Sequence, residues 1–335
     1  MKSPLTGKVM PLVRQKVPVE YRKETFSIYQ HFYFCQQSGG QFSTEDLENI
    51  NQVQLHNKYR EQHNIPYSDE IAMIRKSYGL SAVKMAEVLG FGVNVYRHYE
   101  IGEVPSISNA RLIQLCKIPD NMITLMQANG VLKERERKKL MARILELKGQ
   151  RVGMEYQVGQ NLLSGLPVGV HNGFVVPRQE VLLQMIKQMA GAGPLKLNRV
   201  PILLFLIDFS HYRMYGKGLS GLFYFLDNQV LSVHNLLGII HWAASMDLCA
   251  VSFNQQGTGY LLPGKLSAEA DVSPENQTDT MQAFSKLLER LRQQAPEEAA
   301  LKIPDLSHNT VKGLPAFISY DAAFEMDLPD EWAVF

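Results

Sequence analysis

Between Ser68 and Gly102, helix-starting and helix-stopping residues alternate so closely that the stretch has room only for three short helices joined by tight turns. Ser68 or Asp69 offers a cap for the first helix, Ile71 and Ile74 give it an apolar face, and Gly79 stops it. Ser81 opens the second, whose apolar positions are Val83, Met85, Ala86 and Leu89. Small Ala86 suits a close crossing of two helices. Gly90-Phe-Gly92 predicts a sharp turn in which glycine takes positive φ cheaply, and a third helix starts near Val93 and ends before Gly102. This order is that of a helix-turn-helix.

Periodicity then divides the third helix. Tyr96 falls where it must pack on the second helix and Tyr99 closes the far side, which turns Val93, Asn94, Arg97 and His98 outward. Such a face fits the major groove: Asn pairs with adenine N6/N7, Arg with guanine O6/N7, and Val meets a thymine methyl. Ser81 and Lys84 are placed to hold backbone phosphates. Residues 69–129 nevertheless balance six Lys+Arg against six Asp+Glu, so affinity is expected to lean on dimerisation and basic flanks.

The 335 residues are 45% hydrophobic, which excludes a disordered or collagen-like chain and suggests several domains. No apolar run is long enough for a bilayer, no signal core opens the chain, and Cys35, Cys116 and Cys249 are too scattered for a disulfide framework, so the expected location is the cytoplasm. The net charge of +1 hides an asymmetry: residues 1–160 carry 22 Lys+Arg against 16 Asp+Glu, and residues 161–335 carry 12 against 17. A basic half and an acidic half point to different partners.

The expected fold class is mainly α with a small N-terminal β meander, in several domains. Residues 1–45 read as β, from alternation over Gln15–Tyr21 and the aromatic run Phe26–Phe34, with turns at Gly7 and Gly39-Gly40. Residues 46–130 hold the helix-turn-helix. Residues 131–177 read as a solvated connecting helix followed by a linker thick in Gly, Asn and Pro. Residues 178–335 read as mainly helical, with Val181, Leu182, Met185, Ile186 and Met189 in one core stripe and helices over Ile202–Tyr215 and Leu236–Leu248.

Residues 1–130 resemble the MqsA-type antitoxins, which join a small zinc-binding domain to an Xre-type helix-turn-helix. Gly92-Val-Asn-Val-Tyr-Arg-His-Tyr-Glu100 matches that family's recognition segment; its Asn falls on Asn94, and its base-reading Arg falls on His98, with Arg97 one place earlier. The family's Cys-Pro-x-Cys-Gly and Cys-x-x-Cys-Gly knuckles are here Ser3-Pro-Leu-Thr-Gly7 and Cys35-Gln-Gln-Ser-Gly39. One thiolate of four remains, so no metal or other cofactor is expected. Phe26, Tyr29, Phe32, Tyr33, Phe34 and Phe42 are then expected to form the core, with His31 a strand residue.

Residues from about 178 to 327 resemble the Panacea (SocA-like) domain of antitoxins, on Leu203-Leu-Phe-Leu-Ile-Asp-Phe-Ser-His-Tyr-Arg-Met-Tyr-Gly-Lys-Gly-Leu-Ser-Gly-Leu-Phe-Tyr224, Ser307-His308 and Ile318-Ser-Tyr-Asp-Ala-Ala-Phe324. The resemblance implies toxin neutralisation, with Asp208, His211, Tyr212, Tyr215, Tyr224, Ser307 and His308 as candidate contacts. Asp208 and His211 could share a helix face as an acid/base pair, with Ser307 and His308 completing a Ser/His/Asp set, but no nucleophile elbow surrounds the serine, and Gly216–Gly221 lacks phosphate-loop spacing. No enzymatic activity is expected. The reading is a homodimeric antitoxin that binds its own operator DNA and a toxin encoded nearby. Two alternatives stay open: a transcription regulator sensing another ligand, and an adaptor that hands the toxin to an AAA+ protease.

Overall fold

The computed structural model describes all residues except 129, 131, 151–153, 164, 266–278, 295–315, 327 and 329–335. Ser307 and His308 lie outside the described residues. In chain order the elements are strands β1 (Leu12–Tyr21), β2 (Glu24–Phe34) and β3 (Gln41–Phe42), then helices α1 (Glu45–His63), α2 (Ser68–Ser77), α3 (Ala82–Leu89) and α4 (Val95–Glu100). Helices α5 (Ile107–Leu115), α6 (Pro119–Ala128), α7 (Glu134–Gln150), α8 (Met154–Leu163) and α9 (Gln179–Gly191) follow. The remainder is β4 (Leu195–Lys196), α10 (Arg199–Tyr215), β5 (Tyr224–Asp227), β6 (Val230–Val233), α11 (Leu236–Ser245), β7 (Cys249–Phe253), β8 (Gly259–Pro263) and α12 (Asp279–Gln294). The chain is mainly α with a three-stranded N-terminal sheet in the order β1-β2-β3, as its composition and periodicity indicate. The sheets β4-β8-β7 and β5-β6 add strands to a C-terminal part that reads from the sequence as mainly helical.

The chain forms two compact units that do not follow the expected boundaries at residues 45, 130 and 177. One unit comprises residues 1–17, 27–54 and 161–335, and the other residues 18–26 and 55–160.

In the first unit the free edge of β2 is closed by a helix. Gln54 Oε1 accepts from the Tyr29 N–H at 3.0 Å while its Nε2 donates to the Tyr29 carbonyl at 2.9 Å. One turn earlier, Asn51 Oδ1 accepts from the His31 N–H at 2.8 Å and its Nδ2 donates to the His31 carbonyl at 3.2 Å. Two amides three residues apart on α1 thus act as the missing neighbouring strand, which satisfies an otherwise exposed ladder. The other side of this strand packs on the C-terminal part of the chain: the rings of Tyr29 and His31 lie 5.3 and 4.8 Å from that of Phe324, and the Tyr29 hydroxyl bonds Glu325.

The expected single aromatic core is therefore split. Tyr29 is buried against Phe324, whereas Phe26 packs with Tyr59, Ile65, Val104 and Ala110 in the other unit. Tyr33, Phe34 and Phe42 are only half-buried. His31, a strand residue as expected, is 1% exposed, and burial pushes its imidazole down to about 4, reinforced by the nearby Arg14. A histidine held neutral in this way destabilises the fold once the unfolded chain can take up a proton. Between pH 6.5 and about 4 the unfolded state binds the additional proton, so stability falls on acidification by about 3 kcal/mol from this group, and levels off below pH 4. Denaturant midpoints measured across that window should fall, and His31→Gln should flatten the fall.

The C-terminal part of this unit is built on α10, buried along most of its length. Residues 153–177, expected to be a linker, instead contain α8 and the buried run Asn172–Val175. Gly173 explains the glycine content there: at φ +67 it approaches the Gly218 backbone so closely that a Cβ would stand 2.7 Å from it. Met185 and Met189 fill the core, at 1% and 0% exposure.

In the second unit, the β1–β2 turn is made by Arg22 and Lys23, both at positive φ (51° and 68°), where no glycine signals it. Arg22 donates to the carbonyls of Val104 at 2.8 Å and Pro105 at 3.2 Å and stacks on Tyr21 and Tyr59. The helices α2–α7 share one core made of Ile71, Ile74, Met85, Ala86, Tyr96, Ile113, Met122, Leu140 and Ile144 among others. Leu140 and Ile144 belong to α7, so this helix is not the solvated connector expected from its charge but a packed member of the helix-turn-helix unit.

Candidate functional site

Helices α3 and α4 form the expected turn. The Ser81 hydroxyl caps α3 by accepting from the Lys84 N–H at 3.2 Å, and Gly90 ends it in the left-handed region at φ 71°. Gly79, at φ 64°, closes the preceding turn. Gly92 does not use positive φ; a Cβ there would meet the Val95 side chain at 3.3 Å. Ala86 is 0% exposed at the crossing.

Helix α4 begins at Val95, two residues later than expected, and presents the anticipated division of faces. Tyr96 and Tyr99 are buried; the Tyr96 hydroxyl donates to the Ile71 carbonyl at 2.9 Å and Asn109 Nδ2 donates to the Tyr99 hydroxyl at 2.8 Å. Val93, Asn94, Arg97 and His98 are all exposed. Asn94 stands at the helix start, and its side chain makes no capping bond. His98 Nδ1 lies 3.4 Å from Glu103. Arg75 and Glu100 fasten α2 to α4 through a two-pronged pair of 2.5 and 3.0 Å. That pairing holds α4 in place from behind. Lys84 is already engaged by Glu87 at 2.8 Å and Glu136 at 3.2 Å, so a phosphate must compete with two carboxylates for it.

The two knuckle segments come together even though three of the four thiolates are replaced. Ser3 and Gly7 close one tight turn and Cys35 and Gly39 the other, by backbone bonds of 2.9 and 2.8 Å. The Thr6 hydroxyl lies 3.6 Å from the Cys35 sulfur. Hydrogen bonds from Ser3, Ser38 and Thr6 pull the Cys35 thiol down to about 6. Hydroxyls thus stand where the resemblance places zinc ligands, and a set of one thiol and three hydroxyls does not fit a structural zinc.

Most of the residues expected to meet a toxin are interior. Asp208 is 1% exposed: its Oδ1 accepts from the Leu219 and Ser220 N–H groups, each at 2.8 Å, and its Oδ2 from the Tyr224 hydroxyl at 2.6 Å and from the Ser220 hydroxyl. Burial raises its carboxyl above the usual range, against the pull of those four donors. His211 does not pair with Asp208; its Nδ1 faces the Lys217 carbonyl at 2.8 Å, and burial lowers it to about 4. Tyr212 and Tyr224 are both 0% exposed, and the Tyr212 hydroxyl donates to Asp321 at 2.8 Å. These side chains knit α10 to the segments that follow it, so they are not surface anchors. Tyr215, 42% exposed, is the one candidate tyrosine presented outward.

A helix-turn-helix made by α3 and α4 and, separately, a β hairpin with two knuckle turns define the N-terminal region as a ribbon-plus-helix-turn-helix class. Residues 1–128 match the family model described as the antitoxin component of bacterial toxin-antitoxin system, MqsA. The N-terminal region is therefore MqsA-like, and the match supports an antitoxin role. No curated protein and no solved structure matches the chain. Among the described residues no helix is long and apolar enough to cross a membrane.

Proposed function

We propose that the chain is an antitoxin that neutralises a toxin encoded beside it by direct binding and represses its own operon through α4. The observation that carries this reading is the match of residues 1–128 to the MqsA antitoxin model. The outward set Val93, Asn94, Arg97 and His98 supports the DNA-binding half, because it is exposed and chemically suited to base edges. The toxin-binding half rests on the resemblance of the C-terminal part to Panacea domains and on its excess of Asp+Glu, which complements the basic active sites common in toxins that act on RNA or nucleotides. A homodimer presenting two α4 helices fits a two-fold operator.

Co-expression of the full chain with the product of the adjacent reading frame tests the proposal. Restored growth and a co-purifying complex are the expected result, and Tyr215→Ala should weaken the complex. Toxicity unchanged by the full chain would overturn the toxin-binding half. Rescue that disappears in a strain lacking AAA+ proteases would replace direct neutralisation with delivery for degradation.

A further inference from the structure

DNA affinity depends on positive charge facing the phosphates, and the helix-turn-helix itself has little to spare. Its six Lys+Arg and six Asp+Glu over residues 69–129 cancel, and Arg75, Lys84 and Lys117 are held by Glu100, Glu87 with Glu136, and Glu70. Residues 130–150, beyond the stretch that matches the family model, carry seven Lys+Arg against three Asp+Glu. Most of this stretch is α7, which packs into the same core.

Two contacts define which edge of α7 borders α2 and α3. Lys84 Nζ reaches Glu136 at 3.2 Å, and Arg143 Nε donates to the Ser77 carbonyl at 2.8 Å. With successive residues turned by roughly 100°, Lys139 falls beside these two, three residues after Glu136 and four before Arg143, and Arg135 stands one turn before Lys139. Both are exposed. Neither makes an ion pair among the described residues. Lys138 lies on the far edge, where it pairs with Glu134 at 3.6 Å.

We propose that Arg135 and Lys139 form a phosphate-binding strip that continues the face begun by Ser81 and Lys84 and grips the DNA backbone beside the site read by α4. The proposal rests on the DNA-binding reading above. It makes α7 the basic flank that the neutral helix-turn-helix requires, contributing affinity without sequence preference.

The test uses the full chain with two duplexes of equal length, one carrying the DNA just upstream of its own reading frame and one scrambled, titrated over a salt series. Arg135→Gln with Lys139→Gln should weaken binding to both duplexes by the same factor. It should also reduce the slope of log K against log salt by about 2, since each phosphate-bound cation contributes roughly 0.9. The charge-conserving pair Arg135→Lys with Lys139→Arg should keep the wild-type slope, and Lys138→Gln should change little. An unchanged slope in the glutamine pair, or an equal loss with Lys138→Gln, would overturn the strip while leaving α4 in place. A wild-type chain that binds neither duplex would overturn both the strip and the reading beneath it.

Discussion

Asp208→Ala should lower the melting temperature of the chain by roughly 6–12 °C, the shift that a loss of about 3 kcal/mol produces in a unit of this size. The carboxylate is the shared acceptor of four donors: the Leu219 and Ser220 N–H groups and the Ser220 and Tyr224 hydroxyls. Alanine removes every acceptor at once and leaves the two N–H groups buried without partners, each costing about 1–3 kcal/mol. Hydroxyls can rotate toward other acceptors; backbone N–H groups cannot. Asp208→Asn keeps one acceptor oxygen for the N–H pair and should fall between alanine and wild type. Differential scanning calorimetry of the three chains decides the matter. A melting temperature unmoved by alanine would show that the network contributes nothing net to stability.

The second large effect concerns sequence discrimination. Asn94→Ala combined with Arg97→Ala should reduce the preference for the upstream duplex over a scrambled one by roughly 100-fold or more, since each good base contact is worth about 1–3 kcal/mol and 1.4 kcal/mol is tenfold. Both side chains are exposed and neither supports the core, so the melting temperature should stay at the wild-type value. Competition binding with the two duplexes measures the ratio directly. An unchanged ratio would remove α4 as the reading element. The contrast with the Arg135 and Lys139 variants is diagnostic, because those should lower both affinities and leave the ratio alone.

How far the sequence revealed this architecture depended on whether its signals were local. The helix-turn-helix was legible because its caps and stops are nearest-neighbour chemistry: Ser81 bonds a residue three positions away, Gly79 and Gly90 take left-handed conformations, and Tyr96 and Tyr99 recur on one helical face. The closure of β2 by α1 was not legible. Asn51, Gln54, Asn57 and Arg60 recur every three residues along α1 and are all buried. In the sequence they look like a solvated polar stripe, and only their partners reveal otherwise. The same blindness affected α7, whose charges dominate its composition although Leu140 and Ile144 fix its position.

Among the candidate site residues, exposure followed periodicity on α4 but not on α10. A short helix on a small unit has one solvent face, which alternation can find. A helix buried nearly all round, as α10 is, has none, and so Asp208, Tyr212 and Tyr224 turned inward. The β1–β2 turn carries no local signal for a different reason: Arg22 and Lys23 adopt conformations usually left to glycine or asparagine, and Arg22 is held there by contacts with distant residues.

Those distant contacts also set a timetable. Arg22 cannot find the Val104 carbonyl until more than 80 further residues have been made, and the Tyr29 hydroxyl meets Glu325 across a separation of 296. At a synthesis rate of about 5–20 residues per second, the second interval lasts roughly 15–60 s. For that time the aromatic edge of the earlier-made strand waits on the ribosome without its final cover. A newborn chain is then open to proteases and chaperones in a way that the finished chain is not, so its supply would respond to how fast it is translated as well as to how often.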